Sequence, residues 1–383
     1  MNGYKIMIGA DLVPTKSNIL EFQRGDIKAL FGDQLIGLLN SVDYRIVNLE
    51  VPLTDVATPI LKSGPVLNAP TSSIHAFSSA NIDLVTLANN HIMDQGKDGL
   101  NSTIKVLNDA EIAYVGAGED IETARMPYII NTFSGEKIGI FACAEHEFSI
   151  AEENFPGANP FDPLESFDDI RRLREECNYI IVLFHGGNEE YRYPSPRLQK
   201  ICRKFIENGA NVVITQHSHC IGCREEYQNG VIVYGQGNFL FDYSSNECWM
   251  TSILVAITIS NGKSKIEYIP LIKFKNGVRL AGINDRKKII EEFKKRSKEI
   301  LSPDFVKDSF SRYSSSMIED YLYLIYRRNV FFRALNKLHH NQLIKRLPAH
   351  VNRKALLALQ NDLQCESHSE LMINGLKDKI GGN

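Results

Sequence analysis

Asn211-Val212-Val213-Ile214-Thr215-Gln216-His217-Ser218-His219 is the stretch on which the reading of this chain turns. Val212 to Thr215 are apolar or β-branched in a row, which predicts a short buried strand. The strand stops at Gln216 and two histidines follow, one residue apart. In an α/β protein, ligands gather where strands end. Two imidazoles on such a loop can reach one metal ion or two adjacent ones. His-x-His alone is a weak signal. It gains weight because polar residues follow other apolar runs in the same way.

Taken in order, Tyr4 to Ile8 reads as a strand that ends at Gly9-Ala10-Asp11, and Arg45 to Glu50 repeats the layout with Asn48 and Glu50. Asp83 to Ala88 runs into Asn89-Asn90-His91-Ile92-Met93-Asp94, and a helix fits residues 95–109, with Leu100, Ile104 and Leu107 on one stripe. Lys137 to Cys143 ends in Ala144-Glu145-His146-Glu147, and Tyr179 to Phe184 ends in His185-Gly-Gly-Asn-Glu189. Ser195-Pro196 opens a helix and Asn208-Gly209 closes it. Val231 to Tyr234 leads into Gly235-Gln-Gly-Asn238-Phe239, and two alternating strands flank Asn261-Gly262, a hairpin signal. Helices alternating with buried strands predict an α/β fold over residues 1–275, long enough for a full core.

After residue 286 the pattern turns helical: a charged run to Ile300, a break at Ser302-Pro303, an aromatic helix from Met317 to Leu338, and a polar, loose last twenty residues. The chain of 383 residues carries a net charge of −3, which hides a split. From Arg286 onward there are 19 basic and 11 acidic side chains, against 24 and 35 before it. This predicts two segments, 1–275 and a basic helical extension 286–383, with different partners. The acidic segment suits metal cations. The basic one suits an anionic polymer, a membrane surface or an acidic protein, and nucleic acid is not expected. With 43% hydrophobic and 23% charged residues the composition is that of a soluble globular protein. No signal peptide or run of about 18 apolar residues is visible, and the seven cysteines are scattered, so a cytoplasmic location is expected. Cys220-Ile-Gly-Cys223 reads as small buried side chains or, less simply, as a redox pair.

Carboxylates, amides and imidazoles at successive strand ends of one sheet converge on one rim, and they are the ligand types of Mn, Fe and Zn. Each has a plainer reading. Asp11 can cap a turn, Asp94 can be the N-cap of its helix, and Glu147 can be a surface charge. His75, His339, His340, His350 and His368 lack such a setting.

The set Gly9-Ala-Asp11, Asn48-Leu-Glu50, Ala88-Asn-Asn-His91-x-x-Asp94-x-Gly96, Gly116-Ala-Gly118, His185-Gly-Gly-x-Glu189, Gln216-His-Ser-His219 and Tyr234-Gly-Gln-Gly-Asn-Phe239 resembles the poly-γ-glutamate capsule synthesis (CapA-like) family over residues 4–243. That family has the fold of the calcineurin-like metallophosphoesterases. The resemblance implies a four-layer α-β-β-α sandwich with a metal site at the sheet ends. By the same resemblance Asp11 is the first metal ligand and Glu50 stands where phosphoesterases have a bridging aspartate. Asn90 is the amide ligand, His185, His217 and His219 are the later ligands, and His91 is the catalytic histidine. The usual histidine two residues after the first aspartate is Val13 here, and Gln216 replaces a glycine. One divalent ion, or two of unequal affinity, is the expectation.

These residues suit metal-activated hydrolysis or its reverse. His91 would protonate a leaving group, with Asp94 or Glu189 orienting a histidine. Glu145, His146 and Arg192 are candidate substrate groups, Arg192 for a phosphate or carboxylate. The expected activity is that of a metal-dependent hydrolase or transferase in capsule or surface-polymer synthesis, cutting a phosphoester or a γ-glutamyl amide. Its partners would be an anionic polymer or its precursor and a membrane-bound synthase complex. The alternatives are a generic phosphoesterase on small phosphoesters and a non-catalytic polymer-binding scaffold.

Overall fold

The computed structural model describes residues 3–241, 246–326 and 353–380. In chain order it contains β1 (Tyr4–Leu12), α1 (Ile19–Arg24), α2 (Ile27–Leu39), β2 (Tyr44–Leu49), α3 (Ile74–Ser79), β3 (Leu84–Thr86), α4 (Gly96–Asp109), β4 (Ala113–Val115), β5 (Ala117–Gly118), α5 (Ile121–Arg125), β6 (Tyr128–Asn131), β7 (Lys137–Ala144) and β8 (Gly157–Ala158). There follow α6 (Ser166–Glu176), β9 (Tyr179–His185), α7 (Pro196–Glu207), β10 (Val212–Gln216), β11 (Ile221–Tyr227), β12 (Gly230–Gln236), β13 (Thr251–Ser260), β14 (Lys263–Phe274), β15 (Gly277–Leu280), α8 (Ile283–Glu299), α9 (Pro303–Tyr326), α10 (Arg353–Gln364) and α11 (Glu366–Ile380).

Two mixed sheets carry the fold. One has the order β15-β14-β13-β1-β2-β3-β4 and the other β11-β12-β10-β9-β7-β6. Strands β1 to β4 are parallel, as are β7, β9, β10 and β12, and antiparallel strands close every edge but that of β4. Fully buried strands such as β9, Tyr-Ile-Ile-Val-Leu-Phe-His, are apolar on both faces because each sheet is covered on both sides. Ile6, Ile8, Ile46 and Leu84 of the first sheet meet Ile140, Ile181, Ile214 and Val233 of the second in a central core. The outer face of the first sheet packs on α1 to α4, and that of the second on α6 and α7. The chain is thus a four-layer α-β-β-α sandwich.

Local chemistry agrees with the sequence in several places. Ser195 caps α7, its hydroxyl accepting from Leu198 N at 3.0 Å, with Pro196 in the first turn. Asn261 and Gly262 have φ of 52° and 68° between β13 and β14, the left-handed pair of a type I′ hairpin. Two expectations change. Residues 366–380 of the predicted loose tail are helical, as α11. The predicted aromatic helix from Met317 is part of α9, which starts at Pro303, and 327–338 lie outside the described residues, as do His339, His340 and His350.

The chain divides into two compact units, Met1–Lys307 and Asp308–Asn383. The break that charge suggested at 275–286 falls inside the first unit. Helix α8 buries Ile289 and Phe293 in the central core, and Ile300 and Val306 join the α6–α7 core.

Candidate metal centre

The sheet registers bring the candidate residues together. Gln216 pairs with His185 and His185 with Ala144, so β7, β9 and β10 end level. In the facing sheet Asp11 pairs with Asn48 and Asn48 with Thr86, after a register shift between Ile8 and Asp11. Parallel strands that end together present their terminal side chains on one rim. Asp11, Glu50, Asn90, His91, Asp94, His185, His217 and His219 are all buried there.

Two groups of donor atoms share this rim. Around His185 Nε2 lie Asn90 Oδ1 at 3.0 Å, His217 Nδ1 at 3.1 Å and Glu50 Oε1 at 3.3 Å. Around His219 Nδ1 lie Asn238 Oδ1 at 2.8 Å and Asp11 Oδ2 at 3.4 Å. Glu50, His217 and His219 can each bring one ligand atom to within 4.8 Å of the others. Glu50 therefore stands between the groups. His217 and His219 have φ of 83° and 51°, an unusual backbone for residues with side chains, costing about 1–3 kcal/mol each.

Charge and burial fit a cation here. Among the described residues, Asp11 Oδ2 and both carboxylate oxygens of Glu50 are buried without a hydrogen-bond partner; the imidazole approaches lack hydrogen-bonding geometry. A buried carboxylate without a partner is costly, by several kcal/mol, unless a positive charge faces it. In the metal-free chain protons on histidine meet part of this need. Burial opposes a charge on His219, but Asp11 and Glu50 outweigh it and push the ring up to about 10. His185 is raised too, since Glu50 and Asp11 outweigh its burial. Burial and the neighbouring His185 and His219 rings hold His217 well below the ordinary range. Oxygen and imidazole donors of this kind match a divalent ion of the Zn, Mn or Fe type.

Beside the donors lies a second arrangement. His91 Nδ1 is 2.6 Å from Asp94 Oδ2, and among the described residues the His/Cys/Asp/Glu group that could share one ion is Glu50, His217 and His219, without His91. Asp94 is not a helix cap: Gln95 holds that place, and Asp94 accepts instead from Lys62 Nζ at 2.6 Å and Leu67 N at 2.6 Å. Lys62 also donates to the Asn90 carbonyl at 3.1 Å, tying the amide donor to the pair. A turn follows β3, and in it Asn90 faces His185 while His91 faces Asp94. Lys62→Met should cost about 3 kcal/mol, since it leaves Asp94 buried without its cation. Thermal melting would show this, and a Tm equal to wild type would refute it.

The remaining candidates sit further out. Glu145 is exposed and accepts from Gly187 N at 3.0 Å, and His146 and Glu189 are exposed. The Arg192 guanidinium is committed to the Ile221 carbonyl and to Glu247, each at 3.0 Å, so its visible role is to hold the Glu247–Met250 turn rather than a ligand. That turn places Trp249 against His219, with ring centroids 4.6 Å apart. Sequence reading missed Lys62, which lies in a long irregular segment. It saw Asn48 without a role; Asn48 donates to Asp11 Oδ1 at 2.8 Å and accepts from Thr86 and Asn89 at 3.0 Å. Glu147 is more than a surface charge, accepting from Asn90 Nδ2 at 3.3 Å and lying 3.8 Å from His217 Nε2. Cys220 and Cys223 are fully buried.

Residues 6–243 match the family described as bacterial capsule synthesis protein PGA_cap, more than half of the chain. The chain belongs to this family. Its relatives include the capsule biosynthesis protein CapA of Bacillus anthracis, 26% identical over 211 residues, which are 54% of this chain and 51% of that protein. The PGA biosynthesis protein CapA of Bacillus subtilis is 25% identical over 237 residues, 61% of this chain and 62% of that one. A probable polyglutamine synthesis accessory protein of Mycobacterium tuberculosis is 25% identical over 226 residues, 56% and 60% of the two chains. The chain spans between half and two thirds of the length of the curated relatives it matches. A hypothetical protein from Thermus thermophilus overlays with a TM-score of 0.46 at 12% identity, covering 70% of this chain and 100% of its own. The PGA_cap match spans every residue of this rim from Asp11 to Asn238.

Proposed function

We propose that this PGA_cap protein is a metal-dependent hydrolase or transferase in the assembly of a bacterial capsule or related surface polymer, poly-γ-glutamate-like or polysaccharide. The observation that carries the reading is Glu50, buried with neither oxygen hydrogen-bonded among the described residues, set between two imidazole-bearing donor groups. Asp11, Glu50, Asn90, His185, His217 and His219 would hold one or two divalent ions. A bound ion of this kind supplies water of lowered pKa and polarises the bond to be cut.

The chain's own residues account for the rest. His91, fixed through Nδ1 by Asp94, keeps Nε2 to hold a proton for the leaving atom. Lys62 keeps Asp94 in place, and Asn48 turns the other Asp11 oxygen toward His219. Glu145, His146, Glu147, Glu189 and Glu190 leave an exposed, largely acidic rim. Contacts to an anionic polymer then fall to surfaces such as α8, which exposes Arg286, Lys287, Lys288, Lys294, Lys295 and Lys298. Among the described residues no helix is long and apolar enough to cross a membrane. We place the protein in the cytoplasm, associated with a membrane synthase through such contacts.

The test is metal analysis of purified protein, followed by an activity screen over phosphoesters and γ-glutamyl compounds after loading with Mn, Fe or Zn. Metal-dependent turnover that His217→Ala abolishes is the expected result. Negligible metal uptake by wild type would overturn the reading.

A further inference from the structure

We propose that Asn238 is itself a metal ligand, completing with Asp11 and His219 the donor group that Val13 leaves one side chain short. The inference rests on the metal reading above and adds a donor to it. Val13 is buried among apolar side chains of the outer core, so position 13 offers no ligand. The end of β12 comes to the same place by another route. Gly237, at φ 72°, has room for no side chain, since a Cβ would lie 2.7 Å from the Thr251 carbonyl. Two backbone bonds then lock the following segment to the end of β1: Leu240 N donates to the Asp11 carbonyl at 3.1 Å, and Val13 N to the Leu240 carbonyl at 2.8 Å. Asn238 is thereby held beside Asp11 as firmly as a neighbouring strand would hold it.

Its amide is arranged as a donor to a cation. Oδ1 lies 2.8 Å from His219 Nδ1, which lies 3.4 Å from Asp11 Oδ2. Donor atoms at about 2.0–2.2 Å from one ion are separated by about 3–3.5 Å, and these separations are close to that. The side chain is 6% exposed, and its Nδ2 is buried without a partner among the described residues. The NH2 group, the amide's hydrogen-bond donor, is thus unused while its oxygen faces the imidazole. An amide oxygen is also the donor type that Asn90 brings to the other group. The competing account is that Asn238 merely accepts the ring proton of His219 and orients the ring, as partners of ligating histidines do.

Magnitude and coordination separate the two. Full-length wild type, Asn238→Ala and Asn238→Asp would be titrated with Mn2+, Zn2+ and Co2+ by equilibrium dialysis, with the visible spectrum of the Co2+ form as a readout independent of turnover. Losing an orienting partner weakens binding about 10–100-fold and leaves coordination unchanged. Losing a ligand should weaken one ion by more than about 100-fold and change the Co2+ spectrum, while Asn238→Asp should bind at least as tightly as wild type. A spectrum unchanged in Asn238→Ala overturns the inference and leaves the metal reading standing. Should the alanine variant fail to fold, Asn238→Asp decides alone: weaker binding than wild type, or an unaltered Co2+ spectrum, overturns it. Wild type that takes up no ion sinks the metal reading, and the inference with it.

Discussion

His91→Asn should keep its metal and fold and lose turnover about 10²–10⁴-fold, whereas His217→Ala should lose both metal and turnover. The two histidines sit in one rim with different attachments. His217 Nδ1 is 3.1 Å from His185 Nε2, inside the donor group that Asn90 and Glu50 complete. His91 is fastened at 2.6 Å to Asp94, and Asp94 to Lys62, outside both groups. Asparagine at 91 keeps a polar group facing Asp94 but cannot hold a proton for a leaving atom. Alanine at 217 takes away a ligand and leaves Glu50 facing one imidazole fewer. Metal stoichiometry measured beside kcat, on whichever phosphoester or γ-glutamyl compound the screen yields, separates the roles. If His91→Asn strips the metal as thoroughly as His217→Ala, His91 is a ligand and the division is wrong.

A chain ending at Phe274 should not fold, and one ending at Lys307 should. The shorter chain lacks Ile289, Phe293, Ile300 and Val306, each less than a tenth exposed. At about 1.5–3 kcal/mol apiece, their burial is worth about 6–12 kcal/mol, comparable with the whole stability of a domain. It also lacks Arg296, whose Nε donates to the Gly222 carbonyl at 2.7 Å, and Ser297, whose hydroxyl accepts from Arg224 N at 2.9 Å. These bonds hold the edge strand β11, two residues beyond His219. Circular dichroism on heating would decide. A cooperative transition for the shorter chain, at the temperature of the full one, would show that α8 is an accessory.

The sandwich was legible because its buried strands are unbroken apolar runs followed by polar residues. Alternation with helices such as Pro196–Glu207 set the class. The rim of buried polar side chains was legible for the same reason, since Asp11, Asn90, His185 and His217 each follow such a run. Helix α8 was not: Ile289, Phe293 and Arg296 are its only buried residues, a thin stripe lost among exposed lysines and glutamates. Lys62 was invisible because residues 55–68 have no periodicity. That segment is held by side chains of a distant element: Thr58 N donates to Gln95 Oε1 at 2.8 Å and Gln95 Nε2 to the Leu67 carbonyl at 3.0 Å. Arg192 looked like an anion site because charge alone was visible, not the carbonyl and carboxylate that occupy it.

The left-handed backbone at His217 and His219 bears on how this protein can change over generations. Glycine at either position would relieve the left-handed backbone while deleting an imidazole. Backbone strain and the donor rim therefore pull these two positions in opposite directions. A lineage that stopped needing the ion would be free to drift toward glycine there, so a relative that kept the sandwich but carried glycine at these places would be one that had given up the chemistry.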